Sequence, residues 1–308
     1  MLSPAAARVQ SGDDAQAVAQ IAGFMRGFSL EATRPSADDI DQLRGAAPAG
    51  THVYLSAVPR KPPAELCGYA AAIRRAGYEP VPHLAARNVE DRGAFDAFLG
   101  DIARKASVRS VLVIAGDQDK APGPFSDARD LIESGLLQKH GITQIGISGY
   151  PEGHPRIRLE TLDRALAAKV EAAEQSGLKV HIVTQFGFDP QAILRWVLRL
   201  RDLGFEHPVR IGMAGPTDLA TLLRYAARCG VRASVGSAAR QAGLIKKLFA
   251  VSTPDAIVRT LAQANGLGDV ATHFFSFGGV GASARWAAAT QAARIALDSG
   301  EGFSVTPP

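Results

Sequence analysis

Two hydrophobic periods alternate along this chain. Short β-type runs lie at 28–33 (FSLEAT), 51–58 (THVYLSAV), 79–87 (EPVPHLAAR), 110–117 (SVLVIAGD), 143–149, 179–189 (KVHIVTQFGFD), 207–215 (HPVRIGMAG) and 271–279 (ATHFFSFGG). SVLVIAGD has the continuous apolar character of a strand buried on both faces. Between the runs the pattern turns helical. The chain opens with a helix over about Asp14 to Met25, and SADDIDQLRGAA begins at Ser36, an N-cap followed by acids. PAELCGYAAAIRRAG starts with proline and ends in glycine, as helices prefer. Further helices are expected at 92–106, at 127–137, along the alanine-rich RLETLDRALAAKVEAAEQSG, from Pro190, at 217–228, 237–249 and 254–265, and finally to about Asp298.

Eight strand–helix units without a linker-like break predict an α/β protein, a single-domain (β/α)₈ TIM barrel with an extra N-terminal helix. The expected divisions are a helical extension over 1–27, the barrel over 28–300 and a tail over 301–308. A doubly wound open sheet is the alternative, but eight regular units favour closure. The 308 residues exceed the ~250 that such a barrel needs. A chain that is 46 % hydrophobic and 21 % charged excludes disorder. Cys67 and Cys229 fall in helical patterns, which reads as two reduced thiols rather than a disulfide framework. The net charge of +4 is dispersed, so no basic face for nucleic acid is expected. No apolar run approaches the ~18 residues of a membrane span. The first residues lack a basic region followed by an apolar one, so a cytoplasmic protein is expected.

The most chemically loaded stretch is GISGYPEGHP, 146–155. Here a strand stops in a turn stiffened by Pro151 and Pro155, carrying Tyr150, Glu152 and His154. In a barrel the carboxyl ends of the strands converge on one face. The predicted ends supply Glu31, Ser56, His83 with Arg87, Asp117, Tyr150 with His154, and Gln185. Glu31 would be pushed towards neutrality by desolvation, as a proton donor requires. Gly116 before Asp117 would let backbone approach a flat ligand. Gln185 could both give and accept hydrogen bonds to an amide-bearing heterocycle. Lys169, on the helix after the fifth strand, is placed to reach an anion. GGVGASAR, 278–285, opens a helix where barrels often bind phosphate, yet lacks the spacing of a dinucleotide fingerprint. His181 and His273 lie within strands and read as packing residues. No cluster has metal-ligand spacing, and no nucleophile elbow occurs.

Taken in order, FSLEATRP, PHLAAR, VIAGD, GYPEGHP and VTQF resemble the methylenetetrahydrofolate reductase family over about residues 28 to 280. The resemblance implies a flavoprotein barrel that interconverts 5,10-methylenetetrahydrofolate and 5-methyltetrahydrofolate, with NADH or NADPH as hydride source and FAD between them. It implies Glu31 as general acid and Asp117 as a second catalytic carboxylate near flavin and pterin. Gln185 would bind the folate substrate together with those two acids. Ser56, His83, Gly116, Asp117, Ala128, Tyr150, His154 and Lys169 would contact the cofactor. A homo-oligomer is compatible with it. The chain departs from the family pattern at Ala115, Leu162, Ala165, Ala168 and Gly279, where polar or charged residues are expected. Those departures keep two other readings open, a flavin-free reductase using NAD(P)H directly and a folate-binding barrel without turnover.

Overall fold

The computed structural model describes residues 12–58, 61–229 and 251–306. Eight parallel strands close on themselves: β1 (Ser29–Ala32), β2 (His52–Leu55), β3 (Glu79–Ala85), β4 (Ser110–Ile114), β5 (Gln144–Gly149), β6 (Lys179–Thr184), β7 (Val209–Ala214) and β8 (Val270–Phe275). Each pairs with its neighbour in sequence, and β8 returns to β1 with His273 opposite Ser29 and Phe275 opposite Glu31. The result is the (β/α)₈ barrel that the alternating periods predict.

Helices α1 (Gly12–Phe24), α2 (Ala37–Arg44), α3 (Pro63–Arg75), α4 (Arg92–Ala106), α5 (Ala128–Glu133), α6 (Leu136–Lys139), α7 (Leu159–Gln175), α8 (Pro190–Asp202), α9 (Leu219–Cys229), α10 (Asp255–Ala262) and α11 (Val280–Gln291) surround the strands. Ser36 caps α2 in a full capping box with Asp39, satisfying two amides that the helix itself cannot. The main core lies between strands and helices, where Leu30, Val53, Val111, Ile145 and Ile182 meet Leu43, Ile73, Leu99 and Val197. Helix α1 adds its fully buried Ile21 and the adjoining Met25 to that core, packing on α10 and α11. A second, smaller cluster of Tyr54, Val81, Leu112 and Val183 fills the barrel interior.

Three expectations differ from the observed elements. The stretch 127–137 is two short helices, parted at Gly135, whose φ of 72° no continuing helix can hold. The last helix stops at Gln291 rather than near Asp298, because Ala293 turns left-handed with φ 57°. Ile295–Leu297 then pairs antiparallel with Phe303–Val305, and Phe303 stacks on Trp286. Strands three, four and six end earlier than the apolar runs imply, so Arg87, Asp117 and Gln185 stand on the connections just beyond them. The helix expected at 237–249 lies outside the described residues.

Leu99 is fully buried in α4 and belongs to the main core. Leu99→Ala should therefore cost about 2–5 kcal/mol, read as a lower urea midpoint with an unchanged m-value.

Candidate active site at the carboxyl rim

Side chains on alternate strand positions face the same way, and the pairing register places Glu31 beside Tyr54, and Leu112 between His83 and Gly146. This inner face is unusually polar. His181 is buried, with Tyr54 Oη 2.7 Å from its Nε2 and Gln144 Nε2 3.1 Å from its Nδ1. A Cβ on Gly146 would come within 2.9 Å of the same His181 Nε2, so glycine there leaves room for the ring. Burial, with Arg210 adding to it, pulls the His181 imidazole down to about 3, so it stays neutral. Burial likewise pushes the Tyr54 phenol well above its ordinary range.

Near the carboxyl rim the polar set converges on Glu31. Its carboxylate is 13 % exposed. Ser56 donates to Oε1 at 2.8 Å, and Thr33 shares a 2.8 Å bond with that same hydroxyl. On the other side, Oε2 lies 3.5 Å from His273 Nε2 and 3.7 Å from His83 Nε2. Burial alone would raise the Glu31 carboxyl, as desolvation predicts. The facing His83 and His273, together with the Ser56 hydrogen bond, reverse that and hold it below the ordinary carboxylate range. The expectation of a raised Glu31 is thereby corrected. Burial draws the His83 imidazole down against the pull of Glu31. His83 Nε2 is buried with no hydrogen-bond partner.

His273 is the residue that sequence reasoning misses. Its place within a strand reads as packing, yet it is fully buried against the acid it faces. The period-2 pattern carries the signal, since Ser29 and Glu31 alternate on β1 as His273 and Phe275 do on β8.

The turn at 150–155 sorts its side chains in two directions. Gly153 closes a turn by donating to Tyr150 O at 3.0 Å, and the Tyr150 and His154 rings meet edge to face at 5.3 Å. Glu152 points away from them, its Oε1 accepting from the amides of Phe188 at 2.5 Å and Asp189 at 2.7 Å. Gly187 leaves room for that carboxylate, since a Cβ there would come within 2.7 Å of the same oxygen. Burial, partly offset by a Ser148 hydrogen bond and reinforced by Asp117, raises the Tyr150 phenol. Burial first and Arg156 second lower His154, against Asp117. Asp117, itself exposed, is thus an electrostatic neighbour of both rings.

Below this turn Lys169 reaches up from α7. Its Nζ lies 3.2 Å from Ser148 Oγ and 3.4 Å from Ser148 O, with no carboxylate in ion-pair range among the described residues. Burial brings the ammonium down to about 8, against the more distant Asp127. Ala128 opens α5 and is buried, with Asp127 capping the amides of Arg129 and Asp130.

The remaining candidates are tied into the walls. Gly116, with φ 93°, packs against Ala85 and Arg87. Arg87 donates to Ser126 O and Gln118 O, bracing the loop after β4. Gln185 uses Oε1 to accept from the amide of Phe186 at 3.0 Å. Beside it Phe186 contacts Phe188, Phe275 and Phe277, and Tyr225 stacks on Phe277 at 4.2 Å. In GGVGASAR the glycines serve close packing, for a Cβ on Gly278 or Gly281 would fall 2.1 Å from Pro216 O or Gln42 Oε1. Next to the Glu31 group a cavity of about 760 Å³ is lined by Ser56, His83, Leu66, Tyr69, Phe95 and Phe98. That is ample for a flat heterocycle. Among the described residues no His, Cys, Asp and Glu cluster could hold a metal, and no helix is long and apolar enough to cross a membrane.

The chain is therefore a (β/α)₈ barrel whose titratable groups gather where the strands end, around one buried acid. Residues 39–264 match the family model described as methylenetetrahydrofolate reductase, and the chain belongs to that family. It is similar to methylenetetrahydrofolate reductase 2 of Saccharomyces cerevisiae, 27 % identical over 158 residues. That stretch is 49 % of this chain and 26 % of the yeast protein. Among solved structures it is similar to a dihydropteroate synthase from Thermus thermophilus, 14 % identical, with 84 % of this chain and 90 % of that one covered and a TM-score of 0.45. The same enzyme in complex with 6HMPPP is 13 % identical, with coverages of 86 % and 92 % and a TM-score of 0.47. At such scores these likenesses add nothing to the closed strand order.

Lys169 titrates below its unfolded value, so the unfolded chain binds more protons between about pH 8 and 10.5. The cost of its charge is fully present below pH 8 and relieved as pH rises through that window. Lys169→Met should raise stability at pH 7 by up to about 3 kcal/mol and flatten the wild-type gain between pH 8 and 10.5. Urea melts across that range measure both.

Proposed function

We propose that the protein interconverts 5,10-methylenetetrahydrofolate and 5-methyltetrahydrofolate, with NADH or NADPH as hydride donor and FAD as intermediary. The observation that carries this reading is Glu31, a buried acid at the rim with Ser56 on one oxygen and two histidines on the other. Family membership supplies the substrate class.

Opening the methylene bridge breaks a C–N bond and leaves an amine nitrogen that needs a proton, while the carbon becomes an iminium ready for hydride. Glu31 is the group to deliver that proton. Ser56 on one oxygen and the two histidines on the other hold the carboxyl in one orientation for that transfer. Asp117 would steady the cationic iminium, its exposure leaving it free to face a ligand. Gln185, from the aromatic wall, would grip the pterin edge through its amide nitrogen. Phe186 and Phe275 would exclude water from the carbon that receives hydride.

Two observations support a flavin at this rim. His83 Nε2 is a buried polar atom without a partner beside a cavity of ring size, and Ser56 stands next to it. Lys169 is a half-buried cation without a counter-ion in range among the described residues, suited to a phosphate. Ser56, His83, Gly116, Tyr150 and His154 would hold the ring end, and Lys169, near Ala128, the phosphates. Bound FAD would supply the two-electron relay between nicotinamide and folate. With Ala115, Ala165 and Ala168 contributing no charge, Lys169 carries the phosphate end with little help.

Glu31→Gln should lower folate turnover by about 10²–10⁴-fold while folate binding measured by calorimetry persists; full activity would remove Glu31 from the role. Flavin titration followed by fluorescence quenching should show FAD affinity at its greatest below pH 8 and falling as pH rises through about 8, where Lys169 loses its proton. That dependence should vanish in Lys169→Met. Colourless protein that turns over NAD(P)H and gains nothing from added FAD would replace the relay by direct hydride transfer.

A further inference from the structure

The amino end of the barrel carries a cation that the chemistry at the carboxyl rim leaves unused. Val209, Ile211 and Met213 of β7 belong to the main core on the helix side, so Arg210 between them faces the barrel interior. In register it stands opposite Val183 of β6, one of the interior cluster, and opposite Ala271 of β8, which offers only a methyl group. The same alternation turns His52, two residues before Tyr54 on β2, and Ser110, two before Leu112 on β4, to the inside. The charge of Arg210 acts on His52, Tyr54 and His181 together, which places it among the inner side chains of that end.

Two groups here lack what burial demands. Arg210 is half-buried and makes no hydrogen bond or ion pair among the described residues. Ser110 Oγ is buried with no hydrogen-bond partner. Glu79, opposite His52 in the register, is already committed to Arg74, which donates to both of its oxygens. Lys179, the exposed first residue of β6, adds positive charge on the same inner side. A sequestered polar group costs free energy until a partner is supplied, and a single anion supplies one to the guanidinium and the hydroxyl alike.

From this juxtaposition we propose a second binding site, at the amino mouth of the barrel, for a small tetrahedral oxyanion: inorganic phosphate or the phosphate group of a small monoester. The planar Arg210 fork takes two oxygens, a geometry that chloride cannot match. Ser110 donates its hydroxyl proton to a third, and His52, the exposed member of the group, offers a ring N–H at the opening. Gln144 and Tyr54 are held by His181 and stay outside the site. Occupation ties β2, β4 and β7 together beneath the layer of Tyr54, Leu112 and Val183, so the bound anion stabilises the closed barrel. The site lies at the end away from Glu31 and does not depend on the folate reading.

The test titrates the full chain with sodium phosphate against sodium chloride at matched ionic strength and constant pH. Phosphate should raise the thermal midpoint in a saturable way and move the ring signals of His52 in histidine-labelled protein, with His52→Gln supplying the assignment; chloride should do neither. Arg210→Met should weaken phosphate by about 10–100-fold, Arg210→Lys by less, and Ser110→Ala should weaken it as well. Methyl phosphate separates the two sources: binding as tight as that of inorganic phosphate marks a site open to phosphate esters, and binding of inorganic phosphate alone marks a closed ion site. A midpoint that follows ionic strength only, or a phosphate effect that persists in Arg210→Met, would overturn the proposal. Should that variant fail to fold, the wild-type spectra decide, since signals of His52 that stay still at saturating phosphate overturn it too. None of these readouts involves flavin or turnover, so a negative result leaves the rim chemistry untouched.

Discussion

A carboxylate enclosed in a closed barrel constrains everything around it. Taking an isolated charge out of water costs several kcal/mol unless hydrogen bonds and polar neighbours compensate, and Glu31 draws such neighbours from strands on either side of β1. Ser56 comes from the end of β2, His83 from β3 and His273 from β8. The His273 contact exists only if β8 closes onto β1 in the observed register. Closure and chemistry are therefore one condition: the sheet cannot slip by a residue without turning Glu31 and His273 to the helix side.

The same condition explains the inner column of the barrel. A (β/α)₈ interior is usually filled by branched aliphatic residues, but here Tyr54, His181 and His273 occupy positions between Val81, Leu112 and Val183. Each ring is either hydrogen-bonded or set edge to face against the next. The small residues Ser29 and Gly146 make the necessary space. A dry interior with paired polar atoms is what keeps the acid cluster fixed in place.

Much of this is legible in the chain. The eight apolar runs mark the eight strands because a parallel strand buried on both faces needs unbroken hydrophobicity. Ser36, Pro63 and Pro190 announce their helices by local capping chemistry. Glu31, Ser56 and His83 fall at the rim by position alone, and the structure brings them together. Other features need the third dimension. The downward shift of Glu31 depends on His83 and also on His273, which lies more than 200 residues away in sequence and becomes its neighbour only by closure. The end of the last helix depends on the left-handed turn at Ala293 and on Phe303 finding Trp286, and alanine-rich sequence gives no hint of either. Glu152, which the sequence places on the stiff turn without a role, is a link between two loops.

That link has its own corollary. By holding the Phe188 and Asp189 amides, Glu152 joins the turn after β5 to the segment that opens α8, whose own first amides are capped by Asp189. Neither segment can swing outward alone. The wall bearing Tyr150 and His154 is thereby tied to the start of α8 through one carboxylate oxygen.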